Sequence, residues 1–144
     1  MLQVFMSDER LRAALTEART IAVIGAKDKP GQAVDEVGRY LIAAGYTVIP
    51  VHPVRKNVWG LETYASLGDI KERVDIVDVF RAPEFCPEHA REAAAMHQRP
   101  GLFWMQLGIS SAEAAHIAEQ AGISVVEDKC IMVEHRRLLG ASRA

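Results

Sequence analysis

The chain has only two cysteines in 144 residues, Cys86 and Cys130. They form neither a disulfide framework nor a CxxC metal pair, so a reducing, cytoplasmic setting is the default. No apolar run approaches the roughly 18 residues that a membrane span needs. The N-terminus, MLQVFMSDERLRAAL, lacks a basic segment followed by an apolar core, so no signal peptide is expected. Charge of one sign is also scarce. A net charge of −2 gives no electrostatic footprint for nucleic acid, so any anion site must be local. Internal repeats, low-complexity tracts and linkers are missing as well. What remains, 49% apolar and 25% charged residues, is ordinary globular composition. It predicts one domain over 1–144, with residues 1–19 forming an N-terminal helical segment packed on it.

Several catalytic signatures are absent too. There is no GxSxG elbow, no HExxH helix and no kinase signature set. The loop Gly25-Ala-Lys-Asp-Lys-Pro-Gly31 is not GxGxxG, and no GK[ST] follows Gly31 to make a Walker A loop. No complete catalytic constellation is visible, and no catalytic residue is assigned.

What is present is an alternation. Ser7 can cap a first helix carrying Leu11, Ala14, Leu15 and Ala18 on one face. Ile21–Ile24 is a β-branched apolar run, as in a strand buried on both faces. Val34, Val37, Leu41 and Ile42 then recur at helical spacing up to Gly45. Further strands are predicted at Thr47–Val51, Val74–Phe80, Gly101–Leu107 and Ile123–Val126. Helices are predicted from Pro87 to His97, after a Ser110/Glu113 capping box, and over Cys130–Leu139. Turns are expected at Asn57–Gly60 and Ser66–Glu72. This order predicts an α/β, Rossmann-like three-layer domain with a mostly parallel five-stranded sheet.

Open sheets of this kind bind ligands beyond the carboxyl ends of their strands. The tips expected there are Gly25-Ala26-Lys27, His52-Pro53, Phe80-Arg81, Gln106-Leu107-Gly108 and Asp128-Lys129-Cys130. The first tip carries Lys27 and Lys29 as point charges for phosphate, in a loop closed by Pro30 and Gly31 at a helix start. The second strand ends Val51-His52-Pro53 and is followed by Arg55 and Lys56. An NAD enzyme places an acid there for the ribose hydroxyls, so NAD is disfavoured. Cations at this place suit an additional phosphate on the ribose, the 3′-phosphate of coenzyme A or the 2′-phosphate of NADP.

Read together, VIGA at 23–26, VIPVHP at 48–53, WG at 59–60, SLGDI at 66–70, VDVFRAP at 77–83, WMQLGI at 104–109 and CIMVEHRRL at 130–138 resemble the small stand-alone CoA-binding domain proteins. These are similar to the CoA-binding domain of the succinyl-CoA synthetase α subunit. The resemblance implies coenzyme A or acyl-CoA as ligand, with Gly25, Ala26, Lys27, Lys29, Pro30 and Gly31 near the phosphates. It further implies Val51, His52, Pro53 and Arg55 near the adenosine, Phe80 and Arg81 at the middle of the ligand, and Gln106, Leu107, Gly108 and Ile109 beside the pantetheine arm. The chain departs from the family pattern at Lys27, His52 and Gly31-Gln32-Ala33, where Ser, Asn and an Arg-Pro-Ser-like run are common. Asp35 and Glu36 would compete with a bound anion in that first helical turn. The implied role is a carrier, sensor or accessory subunit, monomeric or weakly dimeric, with a protein partner in CoA metabolism. An NADP- or CoA-dependent enzyme and an interaction module with a vestigial groove are the alternatives.

Four further groups carry side chains capable of chemistry. Cys130, at a helix start beside Lys129, is placed for thiol exchange, although packing is the simpler reading for a free cysteine. Glu134 and His135 are expected to anchor the last helix by hydrogen bonds. Cys86 and His89 lie one turn apart with no third ligand, so no metal site is expected. Asp75 and Asp78 are read as solvent-side or strand-end residues.

Overall fold

Ser7 starts the first helix as expected. Its Oγ accepts the Arg10 N–H at 3.2 Å, satisfying one of the amides a helix start leaves open. The computed structural model describes residues 6–140; residues 1–5 of the expected N-terminal segment and residues 141–144 lie outside the described residues. In chain order the elements are α1 (Asp8–Glu17), β1 (Thr20–Ile24), α2 (Ala33–Ala43), β2 (Thr47–Val51), β3 (Ile76–Val79), α3 (Cys86–Ala94), β4 (Leu102–Met105), α4 (Ala112–Gln120), β5 (Ser124–Val126) and α5 (Ile131–Leu139). Short 3-10 turns at Val58–Gly60 and Leu67–Asp69 occupy the two expected turn regions.

All five strands are parallel, in the order β2-β1-β3-β4-β5. Strand side chains alternate between faces, and here both faces are covered. Ile21, Val23, Ile76, Leu102 and Trp104 pack with α1, α2 and α5, while Ala22, Ile24, Val77, Phe103 and Met105 pack with α3 and α4. Double burial explains why the strands read as continuous apolar runs rather than alternating ones. Each fully buried large apolar side chain contributes about 1.5–3 kcal/mol. The helix after β1 covers one face and the helix after β3 the other. The strand order therefore reverses between β1 and β3, and open sheets of this kind take ligands beyond the strand tips at such a point.

Four local expectations are corrected. Ser111, not Ser110, caps α4, accepting the Ala114 N–H at 3.1 Å; the Ser110 hydroxyl instead donates to Glu127 at 2.8 Å. Helix α3 stops at Ala94 rather than His97, and Arg99 binds the carbonyls of Ala94 and Ala121 at 2.9 and 3.1 Å. Ile42, placed by its spacing on the buried face of α2, is exposed. Asp78 is not solvent-side: it is fully buried in the centre of β3. Asp75 does sit at a strand end, where its Oδ2 accepts the N–H groups of Arg19 and Thr20 at 2.9 and 3.0 Å.

Candidate functional site

The site starts where β1 ends. Gly25 turns the chain with φ +83°, and a Cβ there would lie 2.4 Å from the Phe80 carbonyl oxygen. Only glycine lets the two strand tips approach this closely. The N–H groups of Gly25 and Ala26 both donate to the Val51 carbonyl, at 3.0 and 3.2 Å. Those two amides thus bind β2. The part of the loop open to a ligand begins at Lys27, half-buried, and continues through exposed Lys29, Pro30 and Gly31. The chain then enters α2 at Gln32, whose side chain does not cap the helix.

At the second tip, His52 Nδ1 accepts two backbone N–H groups, from Val54 at 3.1 Å and Arg55 at 3.0 Å. A nitrogen that accepts twice carries no proton, so the imidazole hydrogen sits on Nε2 as a donor. Partial burial, then the positive charges of Arg55, Lys27 and Arg81, hold His52 below the ordinary imidazole range. Those three cations come from the connections after β2, β1 and β3 respectively, so the fold gathers them around one imidazole. Arg55 also pairs loosely with Asp28 at 3.5 Å. The Arg81 guanidinium lies 4.3 Å over the Phe85 ring. Pro53 and Lys56 are exposed beside the cluster in sequence.

The tips of β4 and β5 are clasped to each other. Gly108 N–H donates to Asp128 Oδ1 at 2.6 Å, and Asp128 N–H donates back to the Ile109 carbonyl at 3.0 Å. Glu127 Oε1 accepts the Ser111 N–H at 3.1 Å in addition to the Ser110 hydroxyl. Gln106 is buried, and its Oε1 accepts the Ile131 N–H at 3.0 Å, which fixes the start of α5. The sequence marked these tips but carried no signal for the clasp. Cys130 sits half-buried at the N-cap of α5 and makes no capping hydrogen bond.

Glu134 and His135 act as anchors. His135 Nδ1 shares a 2.7 Å hydrogen bond with the Tyr40 hydroxyl on α2. Glu134 accepts from Arg137 at 2.7 Å, and Arg137 also grips Asp8 of α1. His89 pairs with Glu92 at 2.8 Å, while burial pushes the Cys86 thiol up to about 11. Among the described residues no group of three or more His, Cys, Asp or Glu side chains could hold a metal ion.

Trp59 and Asp35 form a contact that sequence reasoning missed. The indole Nε1–H donates to Asp35 Oδ1 at 2.8 Å, and Arg39 Nε binds the same oxygen at 3.0 Å. The carboxylate expected to compete with a bound anion is therefore engaged by two donors. A Cβ on Gly38 would stand 2.2 Å from the indole ring, so the glycine makes room for the tryptophan. Gly38→Ala gains about 1 kcal/mol of helix propensity. It also displaces a ring whose hydrogen bond to a carboxylate is worth about 1.5–3 kcal/mol. A net loss of about 1 kcal/mol in urea unfolding is expected, with red-shifted Trp59 emission. A stabilised variant with unchanged emission would refute the contact.

A concavity of about 500 Å³ lies away from the strand tips, between the end of α3 and the 66–72 turn. It carries Lys71, Glu72, Glu92 and His97, charges of both signs that give no favourable field for an anion.

Residues 19–136 match the family described as CoA binding domain. The chain belongs to the CoA binding domain family. The match takes in all five strands and every tip named above. The chain is 33% identical over 129 residues to the uncharacterized protein YneT of Bacillus subtilis, covering 90% of this chain and 94% of YneT. A solved Thermus thermophilus protein, cell-free ID.343, is 47% identical with a TM-score of 0.86, covering 92% of this chain and 99% of that one. A hypothetical protein from Pyrococcus horikoshii OT3 is 34% identical with a TM-score of 0.90, covering 97% and 100%. Membership of the CoA binding domain family agrees with the fold, while the names of these relatives carry no activity. Among the described residues no helix is long and apolar enough to cross a membrane.

Proposed function

We propose that this protein binds coenzyme A or its acyl thioesters across the tips of β1 to β4, as a carrier, sensor or accessory subunit rather than as a complete enzyme. The observation that carries this reading is that Lys27, Arg55 and Arg81 stand in the connections leaving β1, β2 and β3, on both sides of the point where strand order reverses, beside a His52 whose Nδ1 accepts two backbone N–H groups. Three cations from three strand tips suit a ligand with several phosphates, and the family supplies the ligand class. In this reading Lys27, Lys29 and Arg81 meet the pyrophosphate, with Pro30 and Gly31 shaping the loop over it. Arg55 takes the ribose 3′-phosphate, and Val51, His52 and Pro53 border the adenosine. Phe80 lies under the middle of the ligand. Gln106, Gly108 and Ile109 hold the rim along which the pantetheine arm runs.

Calorimetry with CoA, dephospho-CoA, NADP and ATP tests this. CoA is expected to bind best and dephospho-CoA more weakly. Arg81→Ala should weaken both about tenfold or more, the worth of one charged phosphate contact. Arg55→Ala should instead narrow the gap between the two. NADP binding tighter than CoA would favour an NADP-linked enzyme in the same groove. No binding of any of them at millimolar concentration would leave an interaction module with a vestigial groove.

A further inference from the structure

We infer that the site selects acyl-CoA over free CoA, and that the apolar rim around Phe85 and Leu107 takes the acyl chain. This rests on the CoA reading above and deepens it. Among the described residues five large apolar side chains are exposed: Ile42, Val54, Phe85, Leu107 and Val133. Three of them, Val54, Phe85 and Leu107, lie in the connections that leave β2, β3 and β4, the edge that carries the cation cluster. Exposure of single apolar residues is unremarkable, but their concentration beside one site is not expected of a featureless surface.

Apolar residues of the same tips also reach the core. Phe80, half-buried, packs on the core of the α1/α2/α5 face, and Ile109 packs on the core of the α3/α4 face. Arg81 joins the two chemistries: it belongs to the charges around His52, and its guanidinium covers one face of Phe85. Apolar surface therefore begins where the cations end. β4 lies two strand spacings from β1, on the far side of β3, or about 10 Å. An extended pantetheine arm covers that distance, so its thioester end reaches the tip of β4. Leu107 is 69% exposed there, held in place by the Gly108–Asp128 clasp on its C-terminal side. A fully buried methylene improves affinity about fourfold. A chain covered on one side gains about half of that free energy, or about twofold per methylene.

The test is a chain-length series on the intact protein: CoA, acetyl-, butyryl- and octanoyl-CoA by calorimetry, below the aggregation concentration of the longest. Octanoyl-CoA is expected to bind at least tenfold tighter than CoA. The quantity read on variants is the octanoyl-CoA to CoA affinity ratio, in which any change in phosphate binding divides out. Leu107→Ser and Phe85→Ser should each lower that ratio severalfold, and Leu107→Met should restore it. If CoA binds but affinity is flat with chain length, this inference fails while the CoA reading stands. If neither CoA nor any thioester binds, the CoA reading itself has failed. If the ratio is insensitive to both serine variants and sedimentation shows that they abolish self-association, the rim is a contact between copies and the inference is overturned.

Discussion

Gly25→Ala is expected to be the most damaging conservative substitution in this protein, costing roughly 2–5 kcal/mol. Two effects combine. A side chain at φ +83° is strained by itself, and its Cβ would also meet the Phe80 carbonyl oxygen at 2.4 Å and the carbonyl carbon at 3.2 Å. Those atoms are backbone of the central strand's exit, so no rotamer change relieves the clash. Either β1 and β3 separate at their tips or the loop lifts. Both routes shift the loop that carries Lys27 relative to the tip that carries Arg81, so at the proposed site CoA affinity should fall at least tenfold even where the variant stays folded. Gly108→Ala is the control. Its φ is +84°, almost the same, yet nothing lies within 4 Å of the added Cβ, so only the conformational cost of about 1 kcal/mol remains. Thermal unfolding should show a drop of about 10 °C for Gly25→Ala and about 3 °C for Gly108→Ala, scaled to a chain of this size. Equal losses would mean that the approach of the two tips has no energetic weight.

Replacing Asp78 by valine is expected to stabilise the fold by roughly 1–3 kcal/mol at neutral pH. Asp78 is paired in register with Val23 on one side and Trp104 on the other. Among the described residues neither of its carboxylate oxygens has a hydrogen-bond partner. Burial pushes this carboxyl well above the ordinary carboxylate range, so the fold favours the neutral acid. The sign of the pH effect follows from proton linkage. The unfolded chain releases the proton near pH 4, the ordinary carboxyl value, while the folded chain holds it longer. The stability contributed by this proton is present below that value and is lost as pH rises toward the folded value, by at most about 1.4 kcal/mol per pH unit. Asp78→Val removes the titration, so its advantage over wild type should shrink as pH falls from 7 to 4. Asp78→Asn keeps a polar group in the same place and should recover less. Urea unfolding at both pH values checks this. A gain independent of pH would show that folding does not shift the carboxyl's titration, and a destabilised Asp78→Val variant would show that the carboxyl is held by a favourable interaction.

The two predictions differ in how far each residue was legible. Gly25 stood out in the sequence because an apolar β-branched run ended on it, and strand ends need turns. That the turn also had to be narrow became visible only with Phe80 beside it. Asp78 was misread because VDIVDVF looks like a strand with two polar positions, and polar positions usually face water. β3 lies between β1 and β4 with helices over both faces, so no position along it faces water. Trp59 shows the same limit in reverse: a lone tryptophan in a turn reads as surface or interface, and its partner Gly38 lies on another element. Helix and strand identities were readable because their apolar periodicities are local properties of short windows. The cap of α4 moved by one residue because Ser110 and Ser111 are adjacent, and only the Glu127 carboxylate separates their roles.

By itself, the sequence determined the alternation of strands and helices, the doubly covered sheet, the family and the five loops that end its strands. These follow from local apolar patterning, from turn residues and from motifs in a set order. Only the tertiary structure decided that Lys27, Arg55 and Arg81 come within electrostatic reach of one imidazole, that Gln106 and Asp128 brace the neighbouring tips, and that Asp78 is buried without a partner among the described residues. Each of these depends on the order in which the strands lie side by side: β1 between β2 and β3 for the cations, β4 beside β5 for the clasp, and β3 between β1 and β4 for Asp78. That strand order is set by which faces the helices cover, a choice made by packing between distant segments rather than by the residues next to one another in the chain.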